Sequence, residues 1–559
     1  MPNLDEPRRL PQQDRGGVVI PSMLERLEND SDAGPQIPVS KFLLYANRNA
    51  ETAWRGGEYV AQVERTLQNA LDEQPAGGYT LGQIGALANT IQSTLRNDGM
   101  LLAQVFVPVQ QVVDGEVAIQ IMEGRVGDIV AQGNDRYSTD VLKKPLDDLA
   151  GKAVDTDDVE RSVLLLRDYP GIAVAGVFNP GNELGTTNLT LRVQDEDPLA
   201  VRFAYDNYGS EFTGETRTFA SVDWNSPLGL GDQLTVSTLK SWDPDNGNYG
   251  AIGYLLPFFS PGTYLDFGFV ENSFRVGRRG SALDSGISGD TTVANVGLIS
   301  KLKRGRNANI TSAVNVLSKR ATVEDTANDR VNARDKLTLL DLNLSFDFVD
   351  TRFRGLNSGA IGFAKGFADV LGSLDEGDPG VDLGSSRRNS VNTFAGGKFE
   401  KWYAQFSRLQ SLTEHSQLLL RTDMQASDDL LLSLEQFALG GPNSVRAFPP
   451  AEFLVDTGGF VSLEWILAAP FFADKAAFSG YSWGDLFHVS FYFDYAGGYL
   501  SEVAFGEEKT RDLSGYGIGI DFRLPGRFST RLDIAEPRGA EDPSNGRDRQ
   551  IYFTMNVSF

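Results

Sequence analysis

The sequence predicts two small α+β domains followed by an all-β region, a 16-stranded antiparallel transmembrane β-barrel. Apolar residues recur at helical spacing only before Pro198, and the rest of the chain alternates between polar and apolar residues over spans of about ten, as barrel strands do. No stretch approaches about 18 consecutive apolar residues, so any membrane-spanning part must be a closed barrel, whose backbone pairs internally.

The composition narrows the classes of protein to which the chain can belong. Its 559 residues exceed one ordinary domain, and its formal net charge of −24 makes nucleic acid a poor partner because phosphates would repel it. Cysteine is absent, which excludes disulfides, thiolate metal sites and a cysteine nucleophile. We predict neither a metal nor a cofactor.

Residues 1–37 are polar and rich in proline, and we expect a flexible leader and linker there. Apolar residues would share one face of a short helix from Ser22 to Glu28. Residues 1–6 lack the apolar core of a signal peptide, so we expect a mature chain from which such a segment was removed.

Residues 38–124 and 125–197 have the same predicted order, which is strand, helix, helix, strand, strand. Helices of the first domain are indicated by apolar residues three or four positions apart: Val60, Val63, Leu67 and Leu71, then Ile84, Leu87, Ile91 and Leu95. In the second domain, Ser138 and Asp155 are placed to begin helices. The two domains therefore form an internal repeat.

Residues 198–559 contain strands with one apolar and one polar face, most clearly Leu340–Phe348 and Ile551–Phe559. Short turns alternate with eight longer polar connections: Tyr208–Glu215, Asp243–Asn248, Arg275–Gly289, Thr322–Asp335, Val370–Asn389, Ser427–Gly459, Ser501–Leu513 and Arg538–Arg547. Counting the long turn Pro470–Asp485 with the short set gives seven turns and hence 16 strands. With the N-terminus in the periplasm, residues 427–459 become the sixth external loop.

The sixth loop contains a run of nine residues: Gly440, Gly441, Pro442, Asn443, Ser444, Val445, Arg446, Ala447 and Phe448. Paired glycines and a proline favour a tight reversal, which suits a loop folded back into the lumen. An arginine there needs a carboxylate partner, because a guanidinium remains charged. Asp494 is the first candidate and Glu464 the second, since both occupy polar-facing strand positions. Composition taken alone favours a solvated loop arginine and an unrelated lumen aspartate.

The nine-residue run resembles the sixth-loop motif of the TpsB two-partner secretion transporters, the haemolysin secretion/activation proteins related to the BamA insertase. The resemblance implies that the loop tip lies inside the barrel and that Arg446 pairs with Asp494. The matching strand motif is formed here by Phe491, Phe493, Asp494 and Gly497. Two departures are Ala447, where glycine is commoner, and a one-residue shift before Gly497.

Other segments resemble the same family in order. Val107–Gln110 resembles the end of its first POTRA domain, Asp168–Gly171 and Asn179–Gly181 resemble the second, and Asp206–Gly209 resembles the first barrel strand. The resemblance implies an outer-membrane transporter with periplasmic POTRA domains. These would bind the N-terminal secretion domain of a partner exoprotein (an adhesin, cytolysin or toxin), which then threads through the barrel.

The resemblance has two further implications. An N-terminal helix plugs the resting pore in relatives, and Ser22–Glu28 would be its counterpart. The final aromatic residue, Phe559, is similar to a terminal signal read by the barrel-assembly machinery. No enzymatic role is implied.

Two other functions remain open, a passive porin and an insertase of membrane proteins. The predicted soluble domains argue against a porin, and room for only two of them argues against an insertase. His488 and Ser490 have the spacing of an outer-membrane phospholipase pair, but they share the lumen face of Asp494, where we expect polar lining rather than catalysis.

Two remaining motifs have ordinary interpretations. Asp243–Gly247 begins like a calcium loop, but Tyr254 stands where its final glutamate belongs. Gly515, Gly517 and Gly519 alternate along a predicted strand, and we expect them to make room for the inserted sixth loop.

Overall fold

The computed structural model describes residues 35–49, 51–183, 185–277, 284–326, 328, 330–375, 385–387, 394–503 and 508–559. The predicted helix at Ser22–Glu28 lies outside the described residues. Within the described part of the chain, no helix combines the length and the apolar character needed to cross a membrane.

The described residues before Pro198 form two modules with the predicted strand–helix–helix–strand–strand order. The first contains β1 (Lys41–Tyr45), α1 (Tyr59–Asp72), α2 (Leu81–Asn97), β2 (Gln104–Phe106) and β3 (Glu116–Met122), with sheet order β1-β3-β2. The second contains β4 (Arg125–Gln132), α3 (Thr139–Lys143), α4 (Thr156–Arg167), β5 (Ile172–Pro180) and β6 (Thr186–Glu196), with sheet order β4-β6-β5.

Each module has its own apolar core under its helices. Thr80 begins α2 with a reciprocal cap, since its hydroxyl accepts from Gln83 N while the Gln83 side chain accepts from Thr80 N. The buried stripe of α2 then packs on the first sheet through Ile84, Ile91 and Leu95. Asp155 caps α4 by accepting from Asp157 N.

The two modules are joined by buried and polar contacts. Leu102, which follows α2, is buried in the core of the second module. Thr156 N donates to Gly99 O at 2.9 Å, and Arg55 Nη2 lies 2.5 Å from Asp155 Oδ2. The connection therefore combines apolar packing, a backbone hydrogen bond and an ion pair.

Sixteen antiparallel strands close into a barrel, as predicted. They are β7 (Leu199–Asp206), β8 (Thr216–Asn225), β9 (Gln233–Trp242), β10 (Gly247–Pro257), β11 (Thr263–Gly277), β12 (Asp284–Arg304), β13 (Ala308–Asp325), β14 (Arg330–Asp350), β15 (Gly355–Phe367), β16 (Phe399–Thr413), β17 (Ser416–Ala426), β20 (Thr457–Ala468), β21 (Phe487–Tyr499), β22 (Thr510–Leu524), β23 (Phe528–Arg538) and β24 (Gln550–Ser558). The short pair β18 (Phe437–Leu439) and β19 (Phe453–Val455) lies within the sixth loop, and α5 (Trp483–Leu486) lies in the long turn.

The barrel wall has an apolar outer face. On β14, Leu342, Leu344 and Phe348 are exposed, whereas the intervening Asp341 and Asp347 form hydrogen bonds with Tyr403 and Asn309. This alternation places hydrocarbon-compatible side chains outward and polar ones inward, as a transmembrane barrel requires.

Several connections are shorter than predicted because the strands beside them are longer. Arg275–Gly289 and Thr322–Asp335 were predicted as loops, but β11 to β14 occupy most of both stretches. The sequence also predicts a short turn at Leu409–Glu414, but most of this stretch lies within β16. Backbone pairing can continue beyond the membrane into water. A strand there can carry polar side chains on both faces, and its sequence then resembles that of a loop.

Candidate functional site

The sixth loop folds back on itself as a hairpin. β18 pairs with β19 in antiparallel register, and Gly440 and Gly441 follow with φ angles of 91° and 102°. At Gly440 a Cβ atom would lie 2.7 Å from Pro449 O, so glycine is needed both for its conformation and for space. Gly441 N donates to Val445 O at 3.2 Å and to Phe448 O at 3.1 Å, which fixes the tip.

The tip of this hairpin is buried within the barrel unit. Val445, Ala447 and Phe448 belong to an apolar cluster with wall residues that include Tyr492 and Leu513. Arg446 is 2% exposed although it carries a charge. Burial of a guanidinium requires paired, hydrogen-bonded carboxylates around it.

Asp494 on β21 supplies the main partner of Arg446. Arg446 Nε donates to Asp494 Oδ2 and Nη2 donates to Asp494 Oδ1, both at 2.8 Å, and the Arg446 backbone N–H donates to Oδ2 at 3.2 Å. This two-pronged geometry fixes both the side chain and the backbone of the tip.

Glu464 on β20 is a second partner rather than an alternative one. Arg446 Nη1 donates to Glu464 Oε2 at 2.9 Å, while Nη2 also donates to Ser462 Oγ at 3.1 Å. The guanidinium carbon lies 3.2 Å from the centre of the Tyr492 ring. The structure thus brings together Arg446, Asp494 and Glu464, and adds an aromatic face beneath the cation.

Arg531 on β23 is a member of this site that the sequence did not single out. It donates to Glu464 Oε1 at 2.9 Å, to Asp533 Oδ2 at 2.7 Å and to Asp521 Oδ2 at 3.0 Å. Asp533 also lies 3.5 Å from Arg446 Nη1. The alternation of β23 put Arg531 and Asp533 on the lumen face, but only the register of β20 to β23 shows that they meet Arg446.

The alternating glycines of β22 make room for this site. A Cβ at Gly515 would overlap the Cβ of Ala447, and one at Gly517 would lie 2.5 Å from Tyr492 Oη. At Gly519 it would lie 2.5 Å from Ser490 Oγ. Gly515 therefore accommodates the loop tip itself, while Gly517 and Gly519 accommodate the wall residues beside it.

Two contacts near the junction of the first and last barrel strands were not predicted from the sequence. One holds the loop tip, and the other holds the junction itself. Tyr552 Oη donates to Phe448 O at 2.7 Å, which ties the loop tip to the last strand. Asn207 accepts from Phe553 N and donates to Ile551 O, both at 2.7 Å. No pattern in the sequence indicates the Tyr552 contact, which joins residues 104 positions apart.

The remaining predicted residues occupy separate places. Phe491 and Phe493 point outward beside Asp494, and Gly497 pairs with Gly459 and Asp512. Phe559 is 77% exposed, and its backbone N–H donates to Val201 O at 2.9 Å. Ser490 is buried on the same strand face as Asp494 and His488.

Comparison with known proteins gives matches over most of the chain. Residues 185–522 match the family described as haemolysin secretion/activation protein ShlB/FhaC/HecB, and residues 60–124 match the ShlB-type POTRA domain. The heme/hemopexin transporter protein HuxB of Haemophilus influenzae is 22% identical over 543 residues, which cover 94% of this chain and 88% of HuxB. The outer membrane transporter CdiB of Escherichia coli is 25% identical over 390 residues, which cover 68% of this chain and 63% of CdiB.

Solved structures share the same architecture. CdiB from Escherichia coli has a TM-score of 0.69 at 20% identity, with 95% of this chain and 92% of CdiB covered. BamA from Haemophilus ducreyi lacking POTRA domains 1–3 has a TM-score of 0.55 at 14% identity, with 94% and 100% covered. These likenesses show a common fold.

Proposed function

Because the chain belongs to the haemolysin secretion/activation protein family ShlB/FhaC/HecB, we propose that it recognises one partner exoprotein in the periplasm and exports it through the barrel. The observation that carries the proposal is the sixth loop, whose buried tip is held to the barrel wall by the ion pairs of Arg446 with Glu464 and Asp494. Among its relatives are transporters named for heme/hemopexin and for hemolysin. The expected cargo is therefore a secreted adhesin, cytolysin or toxin.

Capture of the exoprotein is the task of the POTRA domains in this proposal. β5 is a terminal strand of its sheet and is nine residues long, whereas the terminal strands β1 and β2 have five and three. Its less buried positions carry small uncharged side chains, Ala173, Ala175 and Val177. β4, at the opposite edge, is partly covered, because Gly151 N donates to Val126 O. β5 is thus the strand best suited to accept an extended client segment by backbone pairing.

Charge placed on β5 tests this capture step. Ala175→Lys and Val177→Lys are expected to weaken binding of the exoprotein's N-terminal secretion domain about tenfold, because a charged edge disfavours strand addition. The matched control is Val130→Lys, which places the same charge at an exposed position of β4, at the other edge of that sheet. Equal binding by all three variants would exclude β5 as the capture strand.

Passage through the barrel requires the sixth loop to move. The sixth loop lies in or beside the path of an unfolded client, so we expect it to shift during transport and Arg446 to exchange its carboxylate partners. The direction of transport would come from folding of the client outside the cell, without nucleotide hydrolysis. Arg446→Ala is expected to abolish export while the barrel still assembles.

Deleting the whole chain separates this function from the alternatives. Loss of one exoprotein from the medium is the expected result. A defect confined to small-solute uptake would indicate a porin, and a general loss of outer-membrane barrels would indicate an insertase. Restoration of export by the intact chain but not by Arg446→Ala links the phenotype to the loop.

Assembly of the barrel is the second partner-dependent step that we propose. Phe559 directly follows β24 in an exposed position that the barrel-assembly machinery is expected to recognise. Phe559→Ala should lower the amount of assembled barrel, whereas Phe258→Ala, which removes an exposed aromatic at a turn, should not. Equal assembly of both variants would argue against a terminal signal.

A further inference from the structure

The base of the sixth loop carries a second buried ion pair, separate from the Arg446 site. Arg387, in the connection between β15 and β16, donates from Nη1 to Asp456 Oδ1 at 2.5 Å and from Nη2 to Asp456 Oδ2 at 3.0 Å. The Asp456 side chain is fully buried, and that of Arg387 is 9% exposed. Asp456 lies between β19 and β20, where the hairpin rejoins the wall.

Asp456 and Arg387 together join three external connections. The Asp456 carboxylate accepts from Ser501 N at 2.9 Å and from Gln436 Nε2 at 3.0 Å. Arg387 also donates to Leu431 O at 2.8 Å and to Glu502 O at 3.2 Å. This one ion pair therefore contacts both legs of the sixth loop. It also contacts the external connection between β15 and β16 and the one between β21 and β22.

Arg387 is anchored independently of the sixth loop. Its backbone carbonyl accepts from Ala395 N at 3.0 Å, and the preceding Ser386 donates through N and Oγ to Asp335 on β14, at 2.8 and 2.6 Å. These contacts hold the arginine to a barrel strand and to its own connection. Arg387 is thus a fixed point against which the hairpin is held.

Glu435 strengthens this attachment on the other leg of the hairpin. Its buried carboxylate lies 2.6 Å from Lys319 Nζ on β13 and 2.9 Å from Lys401 Nζ on β16. Burial by itself raises the pKa of Glu435, but the two lysines outweigh it and hold this pKa below its usual range. The carboxylate is therefore ionised at neutral pH.

We propose that Arg387 is a positioning residue for the sixth loop, and that Arg387–Asp456 and Lys319–Glu435–Lys401 form an external latch that must open in addition to the Arg446 site before the hairpin leaves the lumen. The proposal rests on the proposed function, in which the loop has to move. Breaking a buried ion pair leaves an uncompensated charge, so opening either ion-pair group of the latch is costly. The latch and the Arg446 site hold opposite ends of one hairpin, so their effects on the rate at which the hairpin is released should multiply.

The absence of cysteine from the chain allows a direct test without any client. Ser444→Cys places a single thiol at the buried loop tip, and its rate of maleimide labelling reports displacement of the hairpin. In this background Arg387→Gln and Asp456→Asn are each expected to raise the labelling rate about tenfold. Arg387→Lys should raise it less, and Arg387→Gln combined with Arg446→Ala should exceed either single change by a similar factor.

Two controls separate release of the loop from general damage. Lys365→Gln removes an ion pair of similar length, Lys365–Glu400 at 2.6 Å, from an exposed site, and should leave the rate unchanged. A thiol introduced instead by Ser221→Cys, at a buried position on β8 away from the sixth loop, should stay protected in every variant.

Two results would overturn the proposal. In the first, Arg387→Gln and Asp456→Asn do not change the labelling rate of the thiol at position 444, either alone or combined with Arg446→Ala. The other is an equal gain in labelling of the thiol at position 221, since that would show general loosening of the barrel rather than release of the hairpin.

Discussion

The loop-tip site contains more negative than positive charge among the residues that contact one another. Arg446 and Arg531 face four carboxylates, which are Asp494, Glu464, Asp533 and Asp521. Glu464 bridges the two arginines, since each of its oxygens accepts from a different one. Withdrawal of Arg446 would leave Arg531 and the neighbouring buried Arg421 to compensate the four carboxylates. The arginine is therefore held by an acidic site that favours its return.

Lysine at position 446 tests the geometry of this site rather than its charge. An ammonium group cannot span both Asp494 oxygens while contacting Glu464, so Arg446→Lys should weaken retention of the tip by about 1–3 kcal/mol. We expect export to fall well below the unmodified level although the charge is conserved. Arg408→Lys is the control, because Arg408 bonds Asp350 and Asn357 outside this site. Full export by Arg446→Lys would show that charge alone suffices.

The contact between Gly515 and Ala447 offers a test by compensation. Gly515→Ala places a methyl group where Ala447 Cβ already lies, so the tip should be displaced and export reduced. Ala447→Gly removes the opposing methyl, and the double variant should recover part of the export. Recovery stays partial because the new Cβ also lies 3.0 Å from Glu536 O. Unchanged export by Gly515→Ala would contradict this packing. So would a double variant that exports no more than Gly515→Ala alone.

Sequence reasoning found those site residues that have a local signature. Arg446 stands in a run of turn-forming residues, and Asp494 and Glu464 interrupt apolar alternation with a charge. Arg531 and Tyr552 have no such signature, because a charged or aromatic residue facing the lumen is ordinary. Their roles depend on strand register and on how deep the loop inserts, which a single sequence does not specify.

At the level of strands, the ladder that joins the first and last barrel strands has fewer paired positions than the ladder on either side of it. β7 and β24 share five paired positions, whereas β7–β8 and β23–β24 share eight each. Asn207 extends the junction, because its side-chain amide pairs with the backbone of Phe553 and Ile551 beyond the last ladder pair. A side chain thus replaces part of a strand at the point where the barrel closes.

Asn207→Ala should weaken this junction specifically. Loss of two hydrogen bonds at about 1 kcal/mol each is expected to lower the temperature at which the folded barrel unfolds in detergent gels. Asn272→Ala is the matched control, because Asn272 lies where β11 is paired on both sides. Equal unfolding temperatures for the two variants would show that Asn207 adds nothing to closure.

Strand number was predictable, whereas strand length was not. Alternation and turn spacing are properties of neighbouring residues, and they predicted 16 strands in the correct order. β12 and β14 have 21 residues each, far beyond the span of a bilayer, and their outer parts carry polar residues on both faces. Sequence polarity cannot distinguish such a strand from a loop, because in water the two expose similar side chains.

At the scale of the whole molecule, the described residues divide into one unit that ends at Asp197 and a barrel unit from Pro198 to Phe559. The contacts that hold the sixth loop all lie within the barrel unit. The strand proposed to capture the exoprotein lies within the other. Capture and passage should therefore be separable by deletion as well as by single substitutions.

A chain that begins at Pro198 makes this separation testable. Its barrel is expected to assemble and to keep a thiol at position 444 protected, since Arg446, Asp494, Asp456 and Arg387 are all retained. Export should fall to background, because the residues proposed to bind the exoprotein are gone. The control is the full chain carrying Ala175→Lys, which should weaken capture while retaining every domain. Export by the truncated barrel at the level of the full chain would assign recognition to the barrel itself.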